Sequence, residues 1–255
     1  MKRSVVVLAG GLGTRVSHLT DDGVPKAMLP VSGRAFIDVK LAELVAAGAD
    51  EIVLLVGHGA EALRAHVGSE TEAGVPVRFV EDRPTLLGTG GAIRSALDLL
   101  PDPFWTTYGD TLLSVPIELV EQRLARAPDL NAVMTVLRNE DRWALSNVSI
   151  DDQELVTVHD KGAGRGAHDY IDYGMLLVRH ELFAHRAAGE RFDLSDVLRE
   201  AVASRQVAAF IVQERFHEIG TEAAWRETDE WARETALWSH LQRRIESRAG
   251  SSDLR

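Results

Sequence analysis

The 255 residues include no cysteine, so neither a disulfide framework nor a thiolate metal site is available. No apolar run reaches the length of a membrane span. The first apolar stretch, behind Lys2 and Arg3, breaks at Gly10 and is too short for the core of a secretion signal. A soluble, cytoplasmic protein without membrane partners is expected. Cations are scarce too: 28 Lys and Arg stand against 39 Asp and Glu, a net charge of −11. No basic cluster interleaved with aromatics occurs, so nucleic acid is not an expected partner. An acidic chain that binds a polyanion must gather its few cations locally or bring in a metal.

Such a gathering is present near the N-terminus. Val5-Val6-Val7-Leu8 reads as a buried strand, too short for a helix, that runs into Ala9-Gly10-Gly11-Leu12-Gly13-Thr14-Arg15 and then Pro25-Lys26. Bare glycines let a ligand approach the backbone N–H groups, and Arg15 and Lys26 add two cations. This combination describes a polyphosphate site. It is not a Walker loop, because the glycine run ends Gly13-Thr14-Arg15 rather than in Gly-Lys-Ser/Thr. It is not a dinucleotide fingerprint either: Val16 holds the place of the third glycine, and Val56 leads into Gly57-His58 where a ribose-binding acid would follow the second strand.

Further along, apolar spacing predicts helices over 36–47, 60–67 and 90–100, alternating with strands at 51–56, 75–80 and 104–108. Strands follow at 132–137, 147–150, 155–159, 170–178 and 206–212. A helix over 193–204 has Asp193 as its N-cap. The glycine-rich stretch 162–169 reads as a mobile loop. One long helix is expected from 221 to about 248, with Trp225, Trp231, Trp238, Leu241 and Ile245 on a stripe. That stripe packs on its own domain or, alternatively, on a second copy in a homodimer. A frayed tail covers 250–255. The expected architecture is a single α/β domain over 1–220 in two halves, 1–115 and 116–220. Loops 10–15, 86–91 and 109–111 all follow strands, and ligands gather at the carboxyl ends of parallel strands.

The ordered set Gly10-Gly11-Leu12-Gly13-Thr14-Arg15, Pro25-Lys26, Leu87-Gly88-Thr89-Gly90-Gly91-Ala92, Gly109-Asp110, Asp160-Lys161, Gly174 and Ile219-Gly220-Thr221 resembles the signature of the sugar-1-phosphate nucleotidylyltransferases. The resemblance covers most of the chain. It implies a Rossmann-like αβα sandwich with a mixed, mainly parallel sheet, and Mg²⁺-dependent transfer of a nucleotidyl group from an NTP to a sugar 1-phosphate. By the same resemblance Arg15 holds the β/γ-phosphates, Lys26 the α-phosphate and Lys161 the acceptor phosphate. Asp110 holds the metal, as a hard oxygen ligand would. Leu8, Ala9, Gly10, Gly11, Gly13, Thr14 and Gly109 frame the nucleotide, Gly88, Thr89, Gly90 and Gly91 support the base, and Asp172 and Gly174 meet the sugar.

Glu81 could accept from a guanine edge. The family's second metal carboxylate is an Asp, and here its place is taken by Glu218; a water or the neighbouring His217 is the alternative. The base loop is most similar to that of heptose 1-phosphate and mannose-1-phosphate guanylyltransferases. Cytidylyl, uridylyl or thymidylyl transfer, a non-sugar phosphate or phosphonate acceptor, and a non-catalytic nucleotide-sugar sensor are the competing readings. His58, His66 and His180 read as ordinary surface residues.

Overall fold

A computed structural model describes residues 2–11, 13–20, 24–57, 59–81 and 86–252. They form two compact units. Leu12 and His58 lie outside the described residues, as does the end of the tail.

The first unit comprises Met1–Arg83, Tyr108–Leu112 and Phe216–Arg255. Its strands β1 (Ser4–Leu8), β4 (Glu51–Val56) and β5 (Val77–Glu81) pair in parallel, with Val5 opposite Ile52 and Leu54 opposite Phe79. Val5, Val6 and Val7 are fully buried, as expected of a strand covered on both faces. Helix α1 (Phe36–Ala47) stops at Gly48, whose φ of 103° is the left-handed end that the glycine predicted. The small hairpin β2 (Pro30–Val31) with β3 (Arg34–Ala35) precedes it, and α2 (Ala60–Val67) links β4 to β5. A second small ribbon joins β7 (Thr111–Leu112) to β13 (His217–Glu218), segments a hundred residues apart in the chain.

The C-terminus departs from expectation. In place of one helix there are two, α6 (Glu222–Glu234) and α7 (Leu237–Ser252), broken where Ala236 takes a φ of 48°. Alanine, the best helix former, gives no warning of a break. The turn folds α7 back, so that Leu241 is buried with Phe36, Val39 and Ala232 while Trp225, Trp231, Trp238 and Ile245 pack on the same cluster. The tryptophan stripe therefore faces its own core. Trp225, Trp231 and Trp238 are half-buried there.

The second unit comprises Pro84–Thr107 and Leu113–Arg215. Its strand β8 (Ala132–Arg138) pairs in parallel with β12 (Val207–Val212) and antiparallel with β11 (Tyr170–Val178). β11 also pairs antiparallel with β6 (Phe104–Tyr108) and with β9 (Val148–Ile150), which pairs with β10 (Val156–His159). Helices α3 (Gly88–Ala96), α4 (Ile117–Ala125) and α5 (Leu194–Ala203) complete it. α5 starts at Asp193 as expected, with the Asp193 N–H donating to Asp196. α4 was not expected; its signal is Ile117, Val120 and Leu124, all buried at helical spacing behind Pro116.

The chain thus has the expected α/β class, a mixed sheet with flanking helices, related to the Rossmann-like nucleotidyltransferase fold. The two units do not divide at residue 115: the first takes back Tyr108–Leu112 and everything from Phe216 onward. The β7–β13 pairing and the packing of Ala232 and Leu241 with Phe36 both tie the C-terminal segment to the first unit, and nothing local to these segments announces either. Among the described residues no helix is long and apolar enough to cross a membrane.

Candidate active site

The carboxyl end of β1 carries the glycine loop, as the parallel pairing requires. The Ala9 N–H donates to the Leu55 carbonyl and the Gly109 N–H to the Leu8 carbonyl, so loops 9–15 and 109–111 meet at one strand end. Among the described residues the N–H groups of Gly10, Gly11, Gly13 and Thr14 make no backbone donation, while the Gly13 carbonyl accepts from the Val16 N–H and the Thr14 carbonyl from the Ser17 hydroxyl; such a run of N–H groups can receive an anion. Gly13 has two reasons to be glycine. Its φ is 60°, and an added Cβ would lie 3.2 Å from the Lys26 stem. Loop and lysine are fitted to one another.

Lys26, in the single turn Lys26–Met28 behind Pro25, points its Nζ at the Asp110 Oδ2, 2.5 Å away. Both side chains are about one-quarter exposed or less, at 21% and 25%. Asp110 directly precedes β7, and its carbonyl accepts from the Ile219 N–H at 3.0 Å. In the β7–β13 ribbon Glu218 stands opposite Thr111. Its Oε2 and the Arg15 guanidinium converge over Gly220, within 3.2 and 3.6 Å of where a Cβ would stand. Burial, and after it the negative charge of Asp110, holds the Glu218 carboxyl above its ordinary range, while Arg15 and Lys26 pull the other way. Strand alternation sends His217 to the opposite face, where it stacks on Trp231 at 3.6 Å between centroids. That removes His217 from the carboxylate cluster and leaves Glu218 in it. Glu81 ends β5 in the same unit and is exposed.

In the second unit, β10 ends at His159 and continues into Asp160-Lys161, with Lys161 exposed. Asp172 on β11 is buried: its side chain is 4% exposed, and one oxygen accepts from the Gly174 N–H at 3.0 Å. Its other oxygen faces the His159 Nε2 at 3.4 Å. His159, followed in influence by Lys161, holds the Asp172 carboxyl below the ordinary range against the opposing effect of burial. Gly174 has φ 96° and its carbonyl accepts from the Thr107 hydroxyl, at the point where the β11–β8 register shifts. Asp172 and Gly174 therefore sit at the strand's own irregularity and take part in its hydrogen bonding. The stretch 162–169 is tied into turns, with the Gly166 N–H donating to Asp141 and the Gly162 N–H to Asp160. Sequence reasoning missed His159 and Asn147. The Asn147 side chain accepts from the Asp172 N–H and its carbonyl from the Asp160 N–H, and neither role has a sequence signal.

The glycines of the 88–91 loop answer first to packing. They open α3 against the segment before α5, where the Gly90 and Gly91 N–H groups donate to the Phe192 carbonyl. A Cβ on Gly90 would stand 2.4 Å from the Phe192 ring, and one on Gly91 would stand 2.5 Å from the Glu190 carbonyl. The Thr89 hydroxyl accepts from the Leu194 N–H, so it stabilises the start of α5 rather than capping its own helix. His66 pairs with Asp38, and His180 bonds the Pro101 carbonyl; neither approaches the site residues.

Comparison with known proteins identifies the family. The family model for the MobA-like NTP transferase domain matches residues 5–215. The chain is 26% identical over 219 residues to the D-glycero-alpha-D-manno-heptose 1-phosphate guanylyltransferase of Campylobacter jejuni, covering 84% of this chain and 93% of the relative. It is 43% identical over 97 residues to the N-acetylmuramate alpha-1-phosphate uridylyltransferase of Caulobacter vibrioides, 37% of this chain and 40% of that one. Among solved structures, HddC from Yersinia pseudotuberculosis complexed with GMP-PN superposes with a TM-score of 0.72 at 23% identity, covering 89% of this chain and 98% of the other. That likeness is one of fold.

Proposed function

The chain belongs to the MobA-like NTP transferase domain family, and from that premise we propose that it transfers a guanylyl group from GTP to a sugar 1-phosphate of the heptose or mannose type. The observation that carries a catalytic reading is the convergence of Arg15, Lys26, Asp110 and Glu218 at the end of β1. A protein that only sensed nucleotide sugars would need neither the second carboxylate nor its costly position beside the first. The guanylyl reading is supported by the similarity to the heptose 1-phosphate guanylyltransferase, which spans most of both chains.

The residues fit a hard divalent cation, and Mg²⁺ is the one proposed. The Glu218 carboxyl is raised by burial and then by the charge of Asp110, and a cation held between the two carboxylates would relieve that repulsion. Among the described residues no third His, Asp or Glu joins them, so phosphate and water oxygens would supply the remaining ligands. When bound, the ion would offset charge on the triphosphate. The chain's own residues do the rest. The N–H groups of the 10–14 loop and Arg15 hold the β- and γ-phosphates, Lys26 draws charge from the α-phosphate, and Lys161 takes the acceptor phosphate. The acceptor is already an anion at neutral pH, so its phosphate oxygen attacks the α-phosphorus without a general base. The bond from that phosphorus to the β-bridging oxygen breaks, and pyrophosphate leaves with the electron pair. An NTP-dependent reaction of this kind belongs in the cytoplasm.

A second reading is uridylyl transfer, favoured by the higher identity to the uridylyltransferase over its shorter match. Pyrophosphate release with Mg²⁺, for GTP, CTP, UTP, dTTP and ATP against several sugar 1-phosphates, separates the two. A signal confined to GTP with a manno-configured acceptor is expected. Release confined to UTP would replace the guanylyl reading, and nucleotide binding without release from any pair would overturn catalysis.

A further inference from the structure

Glu218 sits on a very short strand, in a ribbon made of β7 and β13 alone. On one edge the ribbon is closed by the Ile219 N–H, which donates to the Asp110 carbonyl at 3.0 Å. Backbone groups alternate in direction along a strand, so the Glu218 carbonyl points to the opposite edge, away from β7. There it accepts from the Thr228 hydroxyl at 2.7 Å. Thr228 lies on α6 and is 1% exposed.

Helix formation does not explain this threonine. A β-branched residue is a poorer helix former than alanine, and its hydroxyl ordinarily turns back to the carbonyl one turn earlier. Thr235, at the end of the same helix, does so, donating to the Trp231 carbonyl at 2.8 Å. Thr228 reaches out of the helix instead. Its neighbours on α6 do the same. The Trp225 Nε1 donates to the Pro30 carbonyl at 2.8 Å, and Asp229 accepts from the Ser32 N–H at 2.7 Å. The Trp231 ring lies on His217, the other residue of β13. One helix therefore holds both the ribbon that carries Glu218 and the β2–β3 hairpin, which begins two residues after the turn bearing Lys26.

A small, hard cation tolerates little error in the placement of its oxygen ligands. A glutamate carboxylate stands several torsions from its backbone, so it can be aimed only if that backbone is fixed. Packing alone would be served as well by valine, which has the shape of threonine without the hydroxyl.

We propose that Thr228 is a positioning residue for the divalent cation: its hydroxyl fixes the Glu218 backbone so that the side-chain carboxylate is presented together with that of Asp110. The inference rests on the metal role proposed above for those two carboxylates.

The test compares Thr228→Val, which keeps the shape and loses the hydroxyl, with Thr228→Ser, which keeps the hydroxyl. Mn²⁺ binding to the protein alone, followed by loss of the free-ion electron paramagnetic resonance signal, needs no turnover. T228V should weaken Mn²⁺ binding about tenfold, and T228S should stay within about twofold of wild type. In an E218Q background T228V should add less than about twofold, because the carboxylate that it positions is gone. In turnover, T228V should raise the Mg²⁺ concentration needed for half-maximal activity by a similar factor, with the acceptor KM within about twofold. Unchanged Mn²⁺ affinity in folded T228V, or an equal loss with and without Glu218, overturns the proposal.

D110N separates this inference from the reading beneath it. If D110N binds Mn²⁺ as wild type does, the metal assignment falls and the role of Thr228 falls with it. If D110N weakens binding and T228V does not, only the role of Thr228 falls. Should T228V not fold, T228A takes its place. Unfolding of both would show that the hydroxyl serves the fold as a whole, which also overturns the proposal.

Discussion

At the scale of residues, the site is an arrangement of charges that the fold holds at some cost. Asp110 is engaged by Lys26 at 2.5 Å and lies one ribbon register from Glu218. Asp110→Asn leaves the volume but removes the charge, and is expected to lower turnover with Mg²⁺ by about 10²–10³-fold with nucleotide binding retained. Near-normal turnover in that variant would end the metal assignment. Glu218 makes the complementary case. Its carboxyl is held above the ordinary range by burial and by Asp110, so ionising it costs folding stability, and that cost is present once the pH is above its raised value. Glu218→Gln removes the cost. In metal-free buffer near neutral pH the variant should melt about 2–4 °C higher than wild type while losing activity. As the pH falls through the raised value towards the ordinary glutamate range the gap should close, because both proteins are then neutral at this position. A gap that widened on acidification would contradict the assignment.

At the scale of elements, the start of α3 illustrates how a motif can leave its first physical role undetected in the sequence. The sequence pattern around Gly88–Gly91 suggests a surface for a planar base. The structure gives those glycines an internal duty as well, because Phe192 and Glu190 occupy the space where Cβ atoms would stand. Gly90→Ala is expected to destabilise the protein by about 1–3 kcal/mol through overpacking against the Phe192 ring. Phe192→Ala should recover part of that loss in the double variant, since it removes the atoms in conflict. Chemical denaturation of the two single variants and the double variant would check it; additive losses would show that the glycine matters for another reason. The β7–β13 ribbon makes the same point more strongly. Two residues on each side are too few to register as strands, yet this pairing puts Glu218 beside Asp110 and turns His217 away onto Trp231.

At the scale of the whole molecule, the C-terminal helices belong to the first unit and close its core. Leu241 is 3% exposed in a cluster that includes Phe36 and Ile219, with Trp238 and Ile245 packed against it. Removing 237–255 would uncover that cluster. Burial of a Leu or Ile side chain contributes about 1.5–3 kcal/mol, so the truncated chain should melt at least ~5 °C lower or become insoluble. Light scattering on the intact protein completes the experiment. A dimer that became a stable monomer of unchanged melting temperature on truncation would show that α7 serves a second copy instead of its own unit. The net charge of −11 makes plain how local the proposed phosphate site would be: Arg15 and Lys26 would act over a few ångströms, against the sign of the molecule as a whole.

The sequence by itself determined the class of the fold, the buried β1 with its glycine loop, and the identity of Arg15, Lys26 and Asp110 as chemistry-bearing residues. Each of these is written in neighbouring residues: β-branched runs, glycines and cations at short spacing, alternation of strand and helix. Tertiary structure alone decided that Glu218 joins Asp110, that the C-terminal helix breaks at Ala236, and that His159 faces Asp172 from inside a sheet. Those outcomes depend on pairings between segments far apart in the chain, and on a turn whose left-handed residue is an alanine. Local propensity carries no record of such contacts, because their energy comes from what the distant partner buries.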